Sequence, residues 1–219
     1  MRHLIDTYIE AEGPRKISPF NQMPLLELIV KSGIANAIAT QLGGLKGDKN
    51  AIAETIENNV RRKIIKEHLS DPAYYDKMST LLDEIIMARK AKAIEYEEYL
   101  KRIAALAQRV TAGVAEDTPE QLKSSPALRA IYNNLKTGAG ASALPERVAE
   151  TPGEYTISGD AVLDLAVKLD AVVRHVRPDG WRGFQARENV IKRALLPLLN
   201  NDSAEVERIF LIIKAQSEY

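Results

Sequence analysis

The chain has 219 residues, of which 45% are hydrophobic and 27% charged, with 30 Lys plus Arg against 30 Asp plus Glu. That length can bury a substantial core as one large domain or two small ones. The zero formal net charge argues against a free-standing non-specific nucleic-acid binder, which carries basic excess, and the lack of cysteine excludes disulfides, thiolate zinc sites and thiol nucleophiles.

A cysteine-free composition fits the cytoplasm. The opening "MRHLIDTYIEAEGP" carries acids and no long apolar stretch, so it does not read as a signal peptide. No segment approaches the ~20 apolar residues that span a bilayer, and the apolar run "FLIIKA" is broken by Lys214.

In chain order the pattern predicts helix almost throughout. Residues 1–11 predict a short helix ended by Gly13-Pro14, followed by a proline-rich loop; 1–20 is thus an N-terminal helix and linker. "LLELIVKSGIANAIATQL" predicts one or two helices with a break at Ser32-Gly33, and "GGLKGDKN" a glycine-rich turn. From 51 to 68, Ile52, Ile56, Val60 and Ile64 form one apolar stripe. Asp71-Pro72 opens the next helix, with proline in its favoured first turn and Tyr75, Met78, Leu82, Ile85 and Ile86 as its stripe. After a short connection at Lys92-Ala93 comes a third stripe: Tyr96, Tyr99, Leu100, Ile103, Leu106 and Val110. Short connections favour antiparallel neighbours, so 21–112 is expected to be a helical subdomain containing a hairpin.

Residues 113–157 read as a connecting region. Within it Thr118 and Gln121 form a capping-box pattern, Pro126 opens the helix "PALRAIYNNL", and 137–157 are rich in Gly, Ala and Pro and poor in large apolar residues, as in a flexible connection. The C-terminal subdomain, 158–219, starts with Ser158 capping a helix whose stripe is Leu165, Leu169, Val172 and Val176. "RPDGWRG" is a turn, and two more helices follow, the first ended or kinked by Pro197. The fold expected is all-α: a multi-helix bundle, divisible into two helical subdomains about the Gly/Ala/Pro-rich connection.

The chain carries little recognisable site chemistry. No glycine precedes a lysine, so the Walker phosphate loop is missing. "LLDEII" imitates a magnesium-binding strand end, but its apolar neighbours keep helical spacing, which places Asp83 and Glu84 on a solvated face. No acid has a lysine two places later, as the common metal-dependent nuclease site requires. His3, His68 and His175 are far apart; the latter two sit near predicted helix C-termini, where the dipole favours a cation.

Two stretches stand out. "AETIENNVRRKIIKEH", 53–68, resembles a DNA-reading helix, but its basic residues are offset by Glu54, Glu57 and Glu67. On a helical wheel Asn58, Arg61 and Arg62 face away from the stripe, while Asn59 and Lys63 lie at its edge. Glu57 and Arg61 have the spacing of an i,i+4 pair, and Asn59 is placed to bond a buried backbone group. Acids beside reading residues are repelled by phosphates, so a packing helix is favoured over DNA contact. "DGWRGFQARENV", 179–190, holds the only tryptophan; Trp181 with Arg182 fits a core anchor and a partner-surface hot spot equally. Candidate partner- or DNA-binding residues are therefore Asn58, Arg61, Arg62, Lys66, Trp181 and Arg182.

Five blocks, in order, carry a resemblance: "AIAETIENNVRRKIIKEH", "YYDKMSTLLDEIIMARKAKAIEYEEYLKRIAALAQRV", "ALRAIYNNL", "DGWRGFQARENVIKRALLPLL" and "EVERIFLIIKAQSEY". Together they resemble the C-terminal helical region of the type I restriction enzyme R subunit, the motor and nuclease subunit of a restriction–modification complex. The resemblance runs from about Pro19 to Tyr219. It implies a stretch without catalytic, cofactor or metal residues of its own, belonging to a longer subunit whose nuclease and helicase-like domains use ATP and Mg2+. It also implies docking onto the methyltransferase (M) and specificity (S) subunits. A DNA-contacting module that guides duplex to the motor is the rival expectation, and no membrane partner is implied.

Overall fold

The computed structural model describes residues 25–45, 48–115, 118–137 and 161–219. These residues form nine α-helices and no strands: α1 Leu25–Ser32, α2 Ile34–Gln41, α3 Lys49–Glu67, α4 Pro72–Lys90, α5 Tyr96–Ala112, α6 Pro126–Thr137, α7 Ala161–Val176, α8 Gln185–Leu195 and α9 Ser203–Ala215. The all-α expectation holds. The helix expected at 1–11 and the cap expected at Ser158 lie outside the described residues.

Local chemistry sets the helix ends. Gly33 separates α1 from α2 at φ 84°, a backbone region open to glycine and unfavourable for side chains. Asp48 caps α3, its carboxylate accepting from the amides of Asn50 at 2.9 Å and Ala51 at 3.0 Å. α5 stops at Gly113, whose φ of 62° lets its amide bond back to Arg109 at 2.9 Å. Asp202 caps α9 through the amides of Ala204 and Glu205. Pro197 ends α8, and Leu196–Leu199 continue as a tighter 3-10 turn.

Buried side chains gather into two cores. The first joins α1 to α5: Ile52, Ile56, Val60 and Ile64 meet Met78 and Leu82 of α4 and Tyr99, Ile103, Leu106 and Val110 of α5. Each such side chain contributes roughly 1.5–3 kcal/mol on leaving water. Leu25 and Ile29 of α1 close this core. The second core joins α6 to α9 and includes Ile131, Leu135, Leu169, Trp181, Ile191, Ile209 and Phe210.

Several expectations are corrected. α6, assigned to the connecting region, belongs to the second core through Ala127, Ile131 and Leu135. Thr118 does not form a capping box; Pro119 precedes a 3-10 turn at Glu120–Leu122 with no side-chain cap, and the buried Thr118 hydroxyl has no partner among the described residues. A proline at the entry and a turn of only three residues leave no α-helical N-terminus for the pair to close. The buried stripe of α7 is Leu163, Ala166, Leu169 and Val173; Leu165 and Val176 are partly buried against this core, and Val172 is half-buried outside it. A run apolar on nearly every side leaves the facing stripe to be chosen by α6 and α8.

The cores meet where the amino end of α4 faces α6. Asp71 caps α4 through the Tyr74 amide at 3.3 Å. The same carboxylate accepts from the carboxamides of Asn133 at 2.7 Å and Asn134 at 2.8 Å, both on α6. Asn134 returns its oxygen to the Ala73 amide at 3.3 Å, and Gln216, just past α9, donates to the Ser70 carbonyl at 2.6 Å. Burial pushes the Asp71 carboxyl up to about 6, against the opposing pull of Asn133, the Tyr74 amide, Asn134 and the positive charge of Arg129.

A folded-state pKa raised above the unfolded value means that the stabilisation is fully present below about 3.8 and is lost as pH rises through about 6. The ionised carboxylate therefore strains the seam at neutral pH. Asp71→Asn keeps a capping oxygen and abolishes the titration. Chemical denaturation at several pH values should show its stability relative to wild type rising by on the order of 3 kcal/mol between pH 4 and pH 7. The amide placed against the Asn133 donor shifts that difference by a constant and leaves its slope; a difference independent of pH would contradict this account.

Candidate functional site

α3 sorts its side chains sharply. Its inner face is the apolar stripe, and Glu57 below it is buried rather than paired to Arg61 as the spacing suggested. Arg89 of α4 reaches across and grips both Glu57 oxygens, at 2.8 and 3.1 Å. A planar two-point guanidinium contact in a buried setting outcompetes a solvated i,i+4 pair. The same Arg89 lies over the Tyr99 ring, 5.7 Å from its centre. Arg61 instead bonds Asp83 of α4 at 2.7 Å, and Glu84 stays exposed. Asn59 bonds the Thr55 carbonyl one turn back at 2.8 Å, an intrahelical bond rather than a tertiary one. His68 follows the last turn of α3 and bonds Asp76 at 2.8 Å.

The outer face of α3 collects three of the sequence candidates. Asn58, Arg62 and Lys66 are all exposed, at successive four-residue steps, and neither Arg62 nor Lys66 has an ion-pair partner among the described residues. Two residues that sequence reasoning passed over join them. Ile65, on the last turns of α3 between Arg62 and Lys66, is 68% exposed, and Leu69, two residues past the end of the helix, is 74% exposed. The signal was present in "RRKIIKEHL": a stripe that uses Ile64 cannot also use Ile65 on the next bearing.

Trp181 and Arg182 lie apart from that face. Trp181 is 3% exposed and edges onto Phe210 with ring centres 5.7 Å apart. It is the core anchor, and its ring is covered by this chain rather than offered to a partner. Arg182 stacks on it at 4.6 Å. Its Nε donates to the Lys214 carbonyl at 3.1 Å and one terminal nitrogen to that of Tyr219 at 3.0 Å; the other terminal nitrogen bonds the Gln216 carbonyl. Arg182 thus clamps the segment after α9 against the 178–183 turn.

The cavities among the described residues include two that bear on these candidates. One, of about 360 Å³, is lined by Arg174, Arg177, Trp181, Arg182 and Tyr219. Arg174 there is held by Asp170 at 2.9 Å and Glu218 at 3.3 Å. The other, of about 190 Å³, opens at the seam between the cores beside Asp71, Tyr75, Gly113 and Arg129. Among the described residues no group of three or more His, Asp or Glu side chains is placed to share a metal ion, and no helix is long and apolar enough to cross a membrane.

No family model, no curated protein and no solved structure matches the chain.

The assignments of Arg61 and Arg182 separate on truncation. Arg61→Ala breaks a half-exposed pair and should cost under about 1 kcal/mol. Arg182→Ala strips three carbonyls of their charged donor and uncovers Trp181, for a loss of roughly 3 kcal/mol or more. Thermal or denaturant unfolding of both variants measures the gap; equal losses would contradict the clamp.

Proposed function

We propose that this chain is a non-catalytic assembly module, and that the outer face of α3 is its docking surface. By the resemblance of its five sequence blocks, the partner is the M and S core of a type I restriction enzyme, onto which the module attaches an ATP-dependent translocase and nuclease. The observation that carries the docking reading is exposed Ile65 on the outer face of α3, beside Arg62 and Lys66 that have no ion-pair partner among the described residues, with exposed Leu69 just past the helix end. Apolar anchors ringed by basic residues have the make-up of a protein interface, where buried aliphatic area supplies affinity and the charges set orientation. A phosphate-reading helix has no use for Ile65 and Leu69 in water.

The second reading, direct DNA contact to guide duplex toward the motor, draws on the same two unpaired cations together with Asn58. Glu54, exposed one turn before Asn58, works against it. The two readings respond to different substitutions.

Ile65→Glu combined with Leu69→Glu replaces two exposed residues and should leave folding intact. Co-purification with an M and S complex should fall at least tenfold in that variant, while Arg62→Ala with Lys66→Ala weakens it less. Retained capture by the Glu variant would remove the docking reading. DNA affinity that falls steeply with salt, and collapses in the Arg62/Lys66 variant alone, would favour the second.

A further inference from the structure

The seam cavity is lined by two donors without a protein partner among the described residues. Arg129 is 7% exposed and Tyr75 is 6% exposed, one from each core. Only one terminal nitrogen of Arg129 is used, on the carbonyls of Leu122 at 3.4 Å and Lys123 at 3.3 Å, both long. Its other terminal nitrogen and the Tyr75 hydroxyl have no hydrogen-bond partner among the described residues. They converge on one place: a side-chain carbon at position 113 would stand 3.4 Å from Tyr75 Oη and 3.9 Å from Arg129 Nη2. Gly113, kept free of a side chain by its φ of 62°, leaves that approach open.

The rest of the wall is already committed. Lys63 is tied to Glu67 at 2.9 Å, the Thr111 hydroxyl to the Ala107 carbonyl at 2.7 Å and the Ser70 hydroxyl to the Glu67 carbonyl at 2.6 Å. Gln216 spends its amide on Ser70 and Ile212. Both Asp71 oxygens are occupied by Asn133, Asn134 and the Tyr74 amide. No described carboxylate lies within ion-pair distance of Arg129. A buried guanidinium without an anionic partner is costly unless something satisfies it. Burial drives the neighbouring phenol up to about 12, so it keeps its proton and remains a donor. The larger cavity is different: Arg182 uses all three of its nitrogens on carbonyls, Arg174 is already paired with acids, and although the buried Trp181 Nε1 has no partner among the described residues, the guanidinium beside it that is not ion-paired, Arg177, is exposed to solvent.

We infer that the seam cavity is a binding site for one small oxyanion of phosphate or sulfate size, held between Arg129 Nη2 and Tyr75 Oη beside Gly113. A cavity of about 190 Å³ accommodates such an ion with water, since each water takes roughly 30 Å³ in the liquid. Its two ligating side chains come from different cores, so occupancy stiffens their relative placement. The site is independent of the docking face on α3.

The probe is inorganic phosphate, set against chloride at matched ionic strength, with thermal unfolding of the whole chain as the readout. Wild type should gain melting temperature with phosphate, rising with the logarithm of its concentration above the dissociation constant, as a native-state ligand requires. Tyr75→Phe removes only the uncommitted hydroxyl and should fold; its apparent phosphate affinity should fall about tenfold, the scale of one hydrogen bond to a charged group. In parallel, the Gly113 amide resonance should shift on titration in wild type, and in Tyr75→Phe only at about tenfold higher phosphate. No gain over chloride overturns the inference. So does an equal gain in both proteins with an unmoved Gly113 resonance, the signature of an adventitious ion only.

Discussion

One buried carboxylate governs how the two halves of this chain meet. Asp71 ends a turn, starts α4 and accepts two carboxamide donors from α6, so one side chain serves both local and long-range structure. Its exposure is 7%, and a charge so placed costs several kcal/mol unless its lone pairs are filled. Asn133 and Asn134 fill them and offset part of that cost, and Asn134 turns its oxygen back to the Ala73 amide. Breaking one of these bonds leaves the others stranded in low dielectric, which makes the seam specific in register.

The same rule of satisfaction orders the rest of the molecule. Glu57 is buried because Arg89 meets both of its oxygens. Arg182 is spent on backbone carbonyls and Tyr219 on Asp170, so the segment after α9 is fastened to the α7–α8 turn. Glu218 completes this closure by accepting from Ser125 and from the Ala127 amide at the start of α6. On the outer face of α3, by contrast, Arg62 and Lys66 have no ion-pair partner among the described residues and stand beside exposed Ile65, with Leu69 just past the helix end. The proposed docking surface follows from that contrast, and the identity of its partner rests on sequence resemblance.

Much of the fold was legible because it is local. The four-residue stripe of α3, proline after Asp71, glycine at 33 and Pro197 each act within a turn or two of themselves, and each landed as read. What stayed hidden depends on partners distant in sequence. Nothing near Asn133 or Asn134 announces a carboxylate on another helix, and Glu57 offered a plausible local partner in Arg61 while its true one lies 32 residues away. The α7 stripe was misread by one position because its apolar residues surround the helix. Trp181 was ambiguous for a related reason, since the same large ring serves a core or an interface and only its neighbours decide. Ile65 and Leu69 were legible in principle as apolar residues left over after the stripe was filled.

Native-state hydrogen exchange tests the seam most directly. If the Asp71–Asn134 joint couples the two cores, Asn134→Ala should lower the opening free energies of protected amides in α4 and in α9 together, by a similar amount of about 1–3 kcal/mol. Loss of protection confined to α6, with α4 and α9 both unchanged, would show that the cores stand without it.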